Sequence, residues 1–396
     1  MLTIVIPTYW QRKIDEHAMP SDFVFDHPTH LDGPDTLTRT LESLSQVTGE
    51  FTVVVITATV SHEIDKEVET RVNEIIKPFK ASYPVIQFAS SSLFEVRGRM
   101  EVLGLDPRDI SLDGYSAIRN CQLLVPAILG ADIIVAIDDD ELVEPDFAKM
   151  ALEMVGRTFN GKIAHGIAGR YFYEWGGYRV KEPESARKSE NLFIRKHALQ
   201  NDSYDLFDSR HGRVVETSIT LGGNMVFSKE LFMKVPFDPK VTRGEDIDYL
   251  INSRMMGFNW MLDKELKIYH YPPPCKPQHK LQEDVIRFFY ERKKLELSTV
   301  KEGWQNVLPD ELKPYPGEYF TARLDQDALE ALENREGLTG LEPFYMSPEE
   351  TLKVARERAA SAGDFFDFAA RWKDIISTLT EDKILTNLYR EKLGML

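Results

Sequence analysis

Four consecutive acidic residues, Asp138-Asp139-Asp140-Glu141, carry the strongest chemical signal in the sequence. Carboxylates this close repel one another, so a nearby cation offsets part of the cost of folding them together. Hard divalent cations such as Mg²⁺ and Mn²⁺ prefer such oxygen ligands and often share phosphate groups of a substrate. The apolar run 131–138 leads directly into the acids, and ligands of open α/β sheets bind beyond the carboxyl ends of strands. The pattern therefore predicts a divalent-cation site at this edge rather than a solvated acidic loop.

A second group of acids opens a predicted helix over 245–256. Gly244 permits close approach of the backbone, and Glu245 and Asp246 fall where a helix N-terminus favours negative charge. A carboxylate held beside a hydroxyl group can act as a general base, although plain helix capping accounts for the same residues. His270 is a third candidate, and a single His in a strand is on its own more often structural than a metal ligand.

Alternating strands and helices must position these residues. The hydrophobic patterns predict buried strands at 2–6, 51–59, 85–89 and 131–138 and helices at 35–44, 63–77, 116–129 and 146–158. Pro7 is predicted to end the first strand, and the residues between the third strand and Ser116 read as a Gly-rich, charged stretch to which no element is assigned. This alternation predicts an open, mostly parallel α/β sheet. Strand-like pieces alternating with polar loops between 160 and 235 predict an antiparallel addition to its edge.

Five segments in this order resemble GT-A glycosyltransferases, in particular the large bacterial family 2-like group. They are VIPTY at 5–9, GYSAIRN at 114–120, IDDDELVEPDF at 137–147, LGGNMVFSKELF at 221–232 and RGEDIDYLINSRMMG at 243–257. The resemblance covers about residues 1–272. It implies a GT-A fold, Rossmann-like with an antiparallel addition, and a hexosyltransferase that requires Mg²⁺ or Mn²⁺. The donor would be a UDP- or GDP-sugar, and the acceptor a hydroxyl group of a small molecule or glycan.

The resemblance also implies roles for individual residues. Those matching the donor-binding positions are Pro7, Thr8, Tyr9, Arg119, Asp138, Asp139, Gly222, Gly223 and Asn224. Those matching the metal ligands are Asp138, Asp140 and His270. Asp246 matches the general base of inverting members, with Glu245 holding acceptor hydroxyls. In retaining members that position is not a base, so the stereochemical outcome stays open.

The sequence departs from the family pattern in two places. No acid follows the second strand until Glu63, so the choice between UDP and GDP stays open, and the loop over 9–34 is unusually long. Two alternatives remain: a nucleotidyltransferase on a related sheet, and a non-catalytic protein that binds sugar nucleotides. A nucleotidyltransferase is expected to carry a glycine-rich loop after the first strand, which VIPTYWQR lacks.

Pro272-Pro273-Pro274 interrupts both helix and strand and predicts a boundary. A catalytic domain is therefore predicted over 1–274 and a helical extension over 275–396. Within the extension, amphipathic patterns predict helices at 280–302 and 364–393. Ser347 and Pro348 predict a further helix start, with a capping Ser before Pro in the first turn.

Composition limits the remaining classes. A chain of 396 residues with 42% hydrophobic and 28% charged residues is expected to fold. Its net charge of −16 argues against nucleic acid and anionic membrane as partners, although a local basic pocket can still bind an anionic small molecule. Cys121 and Cys275 suggest neither a disulfide framework nor a metal knuckle. With no apolar stretch of about 20 residues either, a cytoplasmic protein without a transmembrane segment is expected, and homo-oligomerisation is left open.

Overall fold

The computed structural model describes residues 1–12, 25–26, 28–273, 280–334, 338 and 344–394. The strands are β1 Leu2–Gln11, β2 Thr29–His30, β3 Thr52–Thr59, β4 Val85–Phe88, β5 Ile133–Ala136, β6 Glu141–Leu142, β7 Thr158–Phe159, β8 Lys162–Ile163, β9 Gly166–Tyr173, β10 Val214–Glu216, β11 Met225–Ser228 and β12 Trp260–His270. The first α-helices are α1 Leu37–Leu44, α2 Asp65–Ile76, α3 Ser90–Val102, α4 Tyr115–Leu129, α5 Phe147–Met154, α6 Glu184–Lys188 and α7 Lys196–Ser209. The later ones are α8 Lys229–Phe232, α9 Glu245–Met255, α10 Leu281–Ser298, α11 Leu324–Glu333, α12 Pro348–Ala360, α13 Asp364–Glu381 and α14 Lys383–Lys392. Short 3₁₀ turns lie at His62–Ile64, Lys77–Ala81, Pro107–Asp109, Pro309–Leu312 and Gly317–Phe320.

The main sheet has the strand order β10-β12-β9-β11-β5-β1-β3-β4, with β2 beside β1 and β6 beside β12. Strands β5, β1, β3 and β4 are parallel to one another. Strand β11 joins β5 in the antiparallel direction and connects this half to β9, β12 and β10. The predicted mostly parallel sheet with an antiparallel addition and a helical C-terminal region is confirmed.

Strand β1 is buried on both faces because alternate side chains enter two hydrophobic clusters. Val5 packs into the cluster that contains α4, whereas Ile4 and Ile6 pack into the cluster that contains α1 and α2. The prediction that Pro7 ends this strand is wrong, since β1 continues to Gln11. Pro7 lies beyond Val5, the last residue paired with β5, so its missing N–H group disturbs no pairing on that side.

Helix α4 explains why the C-terminal helices are part of the fold. Nearly all of its side chains are buried, because it contacts β1 and β3 as well as α13 and α14. Val5 of the sheet and Trp372 of α13 belong to the same hydrophobic cluster. The division into two domains at residue 274 stays a prediction, and the described parts on either side share this core.

Several predicted elements need correction. The stretch 90–115 contains α3, whose Leu93, Val96 and Met100 are buried at helical spacing. The region predicted as strands and loops also contains α6 and α7. The predicted helix 364–393 is divided at Asp382, whose carboxylate accepts N–H bonds from the first turn of α14. The predicted cap at Ser347 is confirmed as a capping box with Glu350.

Two further predictions concern cysteines and membranes. Cys121 is a buried free thiol on α4, and Cys275 lies outside the described residues. No helix in the described ranges has the length and apolar composition that crossing a membrane requires.

Candidate active site

The acidic run turns across the carboxyl edge of the parallel strands, immediately after β5. Short strand β6 then pairs with the end of β12, which places His270 opposite Glu141. His270 Nε2 lies 3.4 Å from Asp140 Oδ2, and the backbone N–H of Tyr271 donates to the carbonyl of Asp140 at 2.9 Å. Backbone pairing between distant segments therefore assembles the predicted acid and histidine pair.

Arg119 connects the acidic run to the start of α9. Its guanidinium lies 3.0 Å from Asp138 Oδ1 and 3.2 Å from Glu245 Oε1. Burial lowers the pKa of Arg119, but the negative charges of Asp138 and Glu245 outweigh that effect and raise the pKa overall. Arg119 therefore stays positively charged and fixes both carboxylates.

Asp139 is held from the side of β1. Its carboxylate accepts a hydrogen bond from Thr8 Oγ1, and its carbonyl accepts one from Thr40 Oγ1 at 2.9 Å. Burial and the charge of Asp140 raise the pKa of Asp139. Burial, followed by the charge of Asp138, also raises the pKa of Glu141. The four carboxyl groups of the run therefore outnumber the basic side chains beside them, which are Arg119 and His270.

Helix α9 begins after Gly244, which has a φ of +67°. Asp246 Oδ2 accepts the N–H of Gly222 at 3.1 Å, and its Oδ1 accepts the N–H of Ile247 at 2.8 Å. Burial raises the pKa of Asp246, and burial raises the pKa of Glu245 to about 7. Both carboxylates are therefore fixed in place and more basic than in water.

The two adjacent glycines supply room for charged groups. A Cβ atom on Gly222 would lie 2.3 Å from Arg119 Nη2, and one on Gly223 would lie 2.1 Å from Glu141 Oε1. Asn224 is fully buried, and its Nδ2 donates to the carbonyl of Arg170 at 3.2 Å. At this place the glycines allow side chains to pack directly on the backbone.

These residues surround one cavity of about 310 Å³. The predicted site residues that line it are Tyr9, Arg119, Asp138, Asp139, Asp140, Gly222, Glu245, Asp246 and His270. The predicted residues that do not line it are Pro7, Thr8, Gly223 and Asn224. Thr8 and Gly223 nevertheless contact or accommodate acids of the run, as described above.

Sequence reasoning missed a group of cationic and aromatic side chains on the same cavity. They are Tyr115, Tyr171, Lys196, Arg243, Arg287 and Tyr315. Arg287 belongs to α10, far beyond the resembling segments. Nothing in the spacing of the many basic residues of α10 distinguishes the one that reaches the cavity.

Asp140 and His270 fit part of a cation site. Mg²⁺ ligands at about 2.1 Å from the ion lie roughly 3 Å apart at adjacent positions, which is close to the 3.4 Å separation here. His270 Nδ1 is buried and makes no hydrogen bond within the described part of the chain. Among the described residues, no three His, Cys, Asp or Glu side chains are already arranged to hold a metal. Mg²⁺ commonly takes only one or two protein ligands and completes its shell with water and phosphate.

No protein-family model and no curated protein matches the chain. Similar solved structures include a mycobacterial protein, which is 14% identical to this chain with a TM-score of 0.34. The match covers 69% of this chain and 67% of the mycobacterial protein. A mannosyltransferase from Pyrobaculum calidifontis in complex with GDP-Man and Mn²⁺ is 14% identical with a TM-score of 0.37. That match covers 98% of this chain and 86% of the mannosyltransferase. GalNAc-T7 with UDP, GalNAc and Mn²⁺ is 12% identical with a TM-score of 0.39. That match covers 85% of this chain and 58% of GalNAc-T7.

These three structures are similar to the chain at identities of 12–14% and TM-scores of 0.34–0.39, and the ligands named with two of them belong to those proteins. What this chain binds must therefore be argued from its own cavity.

Proposed function

We propose that the protein is a divalent-cation-dependent glycosyltransferase that moves a sugar from a nucleoside-diphosphate sugar to a hydroxyl acceptor. The observation that carries the proposal is the convergence of two acid groups, Arg119 and His270 on a single cavity at the carboxyl edge of the sheet. One acid group, with His270, suits a cation and a diphosphate. The other, with Asp246, suits a hydroxyl group.

On the donor side, Asp140 and His270 would hold the cation, and Asp138 is the third predicted ligand. Bound there, Mg²⁺ or Mn²⁺ supplies Lewis-acid stabilisation of the negative charge on the departing nucleoside diphosphate. Arg119 adds positive charge next to Asp138 and orients that carboxylate. Thr8 and Thr40 hold Asp139 in position from the opposite side.

On the acceptor side, the acceptor oxygen forms a bond to the anomeric carbon while the bond from that carbon to the phosphate oxygen breaks. The bonding electrons leave with the diphosphate. In an inverting reaction the acceptor proton goes to the carboxylate of Asp246, whose raised pKa makes it a stronger base. Glu245 lies beside it and can accept a hydrogen bond from an acceptor hydroxyl once Arg119 holds it in place.

A panel of UDP- and GDP-sugars, incubated with Mn²⁺ or Mg²⁺, tests the proposal. We expect cation-dependent release of UDP or GDP from one class of donor, abolished by EDTA and by Asp140→Ala. Thermal stabilisation by UDP or GDP with Mn²⁺ should be lost in the same variant. Full activity of Asp140→Ala in EDTA would contradict the assignment.

Other outcomes separate the alternatives. Release of pyrophosphate from a nucleoside triphosphate and a sugar phosphate would show a nucleotidyltransferase. Cation-dependent binding of sugar nucleotides without turnover of any donor would show a binding protein.

A further inference from the structure

A second cavity, of about 420 Å³, adjoins the proposed active site. The two cavities share Tyr115, Arg243 and Arg287 in their walls. The second cavity is lined by neither the acidic run nor His270, and most of its wall comes from α10, α12 and the segment before Gly244. It therefore extends from the side of the site that carries the start of α9, away from the proposed cation position.

The wall of this second cavity is strongly cationic. Its charged side chains are Lys240, Arg243, Lys280, Arg287 and Arg358, with Glu283 as the single acid. Within the described ranges, the acids that pair with these cations include Asp26, Asp364 and Glu291, and none of these three lines this cavity. The chain as a whole has a net charge of −16, so a cavity wall with five cationic side chains and one acidic side chain differs strongly from the average charge of the protein.

Arg287 joins this surface to the reacting end of the site. Its guanidinium packs on the backbone of Gly244, where a Cβ atom would lie only 1.6 Å from Arg287 Nη1. Its Nη2 donates to Tyr315 Oη at 3.0 Å, and its Nε lies 3.4 Å from the buried Oε1 of Glu291. Gly244 thus lets a cation from α10 lie directly before Glu245 and Asp246.

We propose that this second cavity binds an oxyanion, either a carboxylate or a phosphate, on the acceptor, with Arg287 and Arg243 as its main ligands. Planar guanidinium groups bind both oxyanions through paired charge-assisted hydrogen bonds. The acceptor rather than the donor is assigned here because the donor diphosphate belongs with the cation at Asp140. The inference rests on the proposed function, since it names the class of acceptor for the same site.

Acceptor preference is the first test. With the donor identified above, transfer is compared among a hydroxycarboxylate, a phosphorylated polyol and an uncharged polyol of equal length. We expect the charged acceptors to be used at least about 10-fold better in kcat/KM than the uncharged one. The better of the two charged acceptors identifies the oxyanion. Equal use of all three would overturn the inference while leaving the glycosyltransferase proposal intact.

Variants localise the effect. Arg287→Gln should raise KM for the charged acceptor about 10- to 100-fold and remove the preference over the uncharged one. Arg243→Gln, at a more exposed side chain, should act in the same direction and decides the question if Arg287→Gln does not fold. Arg292→Gln is the control, because Arg292 lies on the same helix but pairs with Asp325 at the surface. Unchanged preference in both cavity variants would contradict the assignment.

Direct binding keeps the test independent of turnover. Titration with inorganic phosphate and with lactate, followed by calorimetry, should show saturable binding of at least one anion to the unaltered protein, and Arg287→Gln and Arg243→Gln should weaken that binding. Anion binding without any transfer would refute the proposed function but not the anion site. Transfer without binding of either anion would refute the anion site alone.

Discussion

At the scale of single residues, the site depends on carboxylates that are buried and yet fixed. Asp246 accepts one backbone N–H group on each of its oxygens, which holds its plane while leaving lone pairs for a proton. Burial keeps its pKa raised despite those two bonds. In the proposed reaction, the ionised carboxylate of Asp246 takes the proton from the acceptor hydroxyl.

Replacing that charge should separate catalysis from binding. Asp246→Asn keeps the shape of the side chain but removes the base, so we expect turnover to fall about 10²- to 10⁴-fold. Binding of the nucleoside diphosphate with Mn²⁺ should change less than about threefold, because the acidic run lies on a different segment. Steady-state kinetics and calorimetry measure the two quantities, and Asp374→Asn, at an exposed carboxylate of α13, is the control. Unchanged turnover would remove Asp246 from the role of base and favour a retaining reaction.

Gly223 is required for space rather than for backbone conformation. In Gly223→Ala the new Cβ atom meets the carboxylate of Glu141 at 2.1 Å, so the acidic run must shift. We expect a loss of about 1–3 kcal/mol in the free energy of unfolding, together with weaker cation-dependent activity. Gly98→Ala is the matched control, since its Cβ atom meets nothing within 4 Å on helix α3. That control should gain about 0.5–1 kcal/mol, and an equal response of both variants to urea would contradict the argument.

At the scale of elements, α10 is bound to α9 by a buried charge cluster. Lys294 of α10 lies 3.0 Å from Asp238 and also pairs with Asp248 of α9, and all three side chains are almost fully buried. Tyr290 donates to Asp238 at 2.8 Å, and Asn252 donates to Asp248 at 2.7 Å. The cluster fixes the helix that carries Arg287 relative to the helix that begins with Glu245.

Removing the shared cation should therefore be costly. In Lys294→Met, Asp238 and Asp248 stay buried without their partner, and we expect a loss of about 3–5 kcal/mol in the free energy of unfolding. Lys293→Met is the neighbouring control, because Lys293 is exposed and pairs with Glu296 at the surface. It should change stability by no more than about 0.5 kcal/mol. Similar urea midpoints for the two variants would show that the buried cluster contributes little.

The elements also show what the sequence can and cannot predict. Runs of β-branched residues located β3 and β5 well, because a parallel strand is apolar on both faces. The closeness of Asp140 and His270 could be predicted because their order along the chain matches a known pattern. Helix α3 was missed because Gly98 and its charged neighbours conceal a core-facing stripe that only packing reveals. The position of Arg287 in the cavity was missed because it depends on packing against Gly244. The two residues are far apart in the sequence, and no local pattern relates them.

At the scale of the whole molecule, the sheet and the C-terminal helices share one hydrophobic core. Helix α4 lies against strands β1 and β3 and also against α13 and α14, so removing the C-terminal helices exposes part of a helix that is otherwise buried almost all round. Phe288 of α10 and Trp372 of α13 are buried in the cluster that also contains Val5. The extension therefore acts as structural support for the site as well as a source of side chains for it.

This shared core makes a definite prediction for the boundary that the three prolines suggest. A fragment that ends at Pro274 keeps every strand of the described sheet but loses the helices that cover α4, so we expect it to aggregate or to melt without a cooperative transition. Thermal unfolding followed by circular dichroism, with size-exclusion chromatography, measures this directly. Co-expression with residues 275–396 is the control, since the separate halves should associate through the same apolar surface and recover a cooperative transition. A fragment that melts cooperatively as a monomer would instead show that the sheet and the extension are independent domains, and the helices would then contribute Arg287 without contributing to the stability of the sheet.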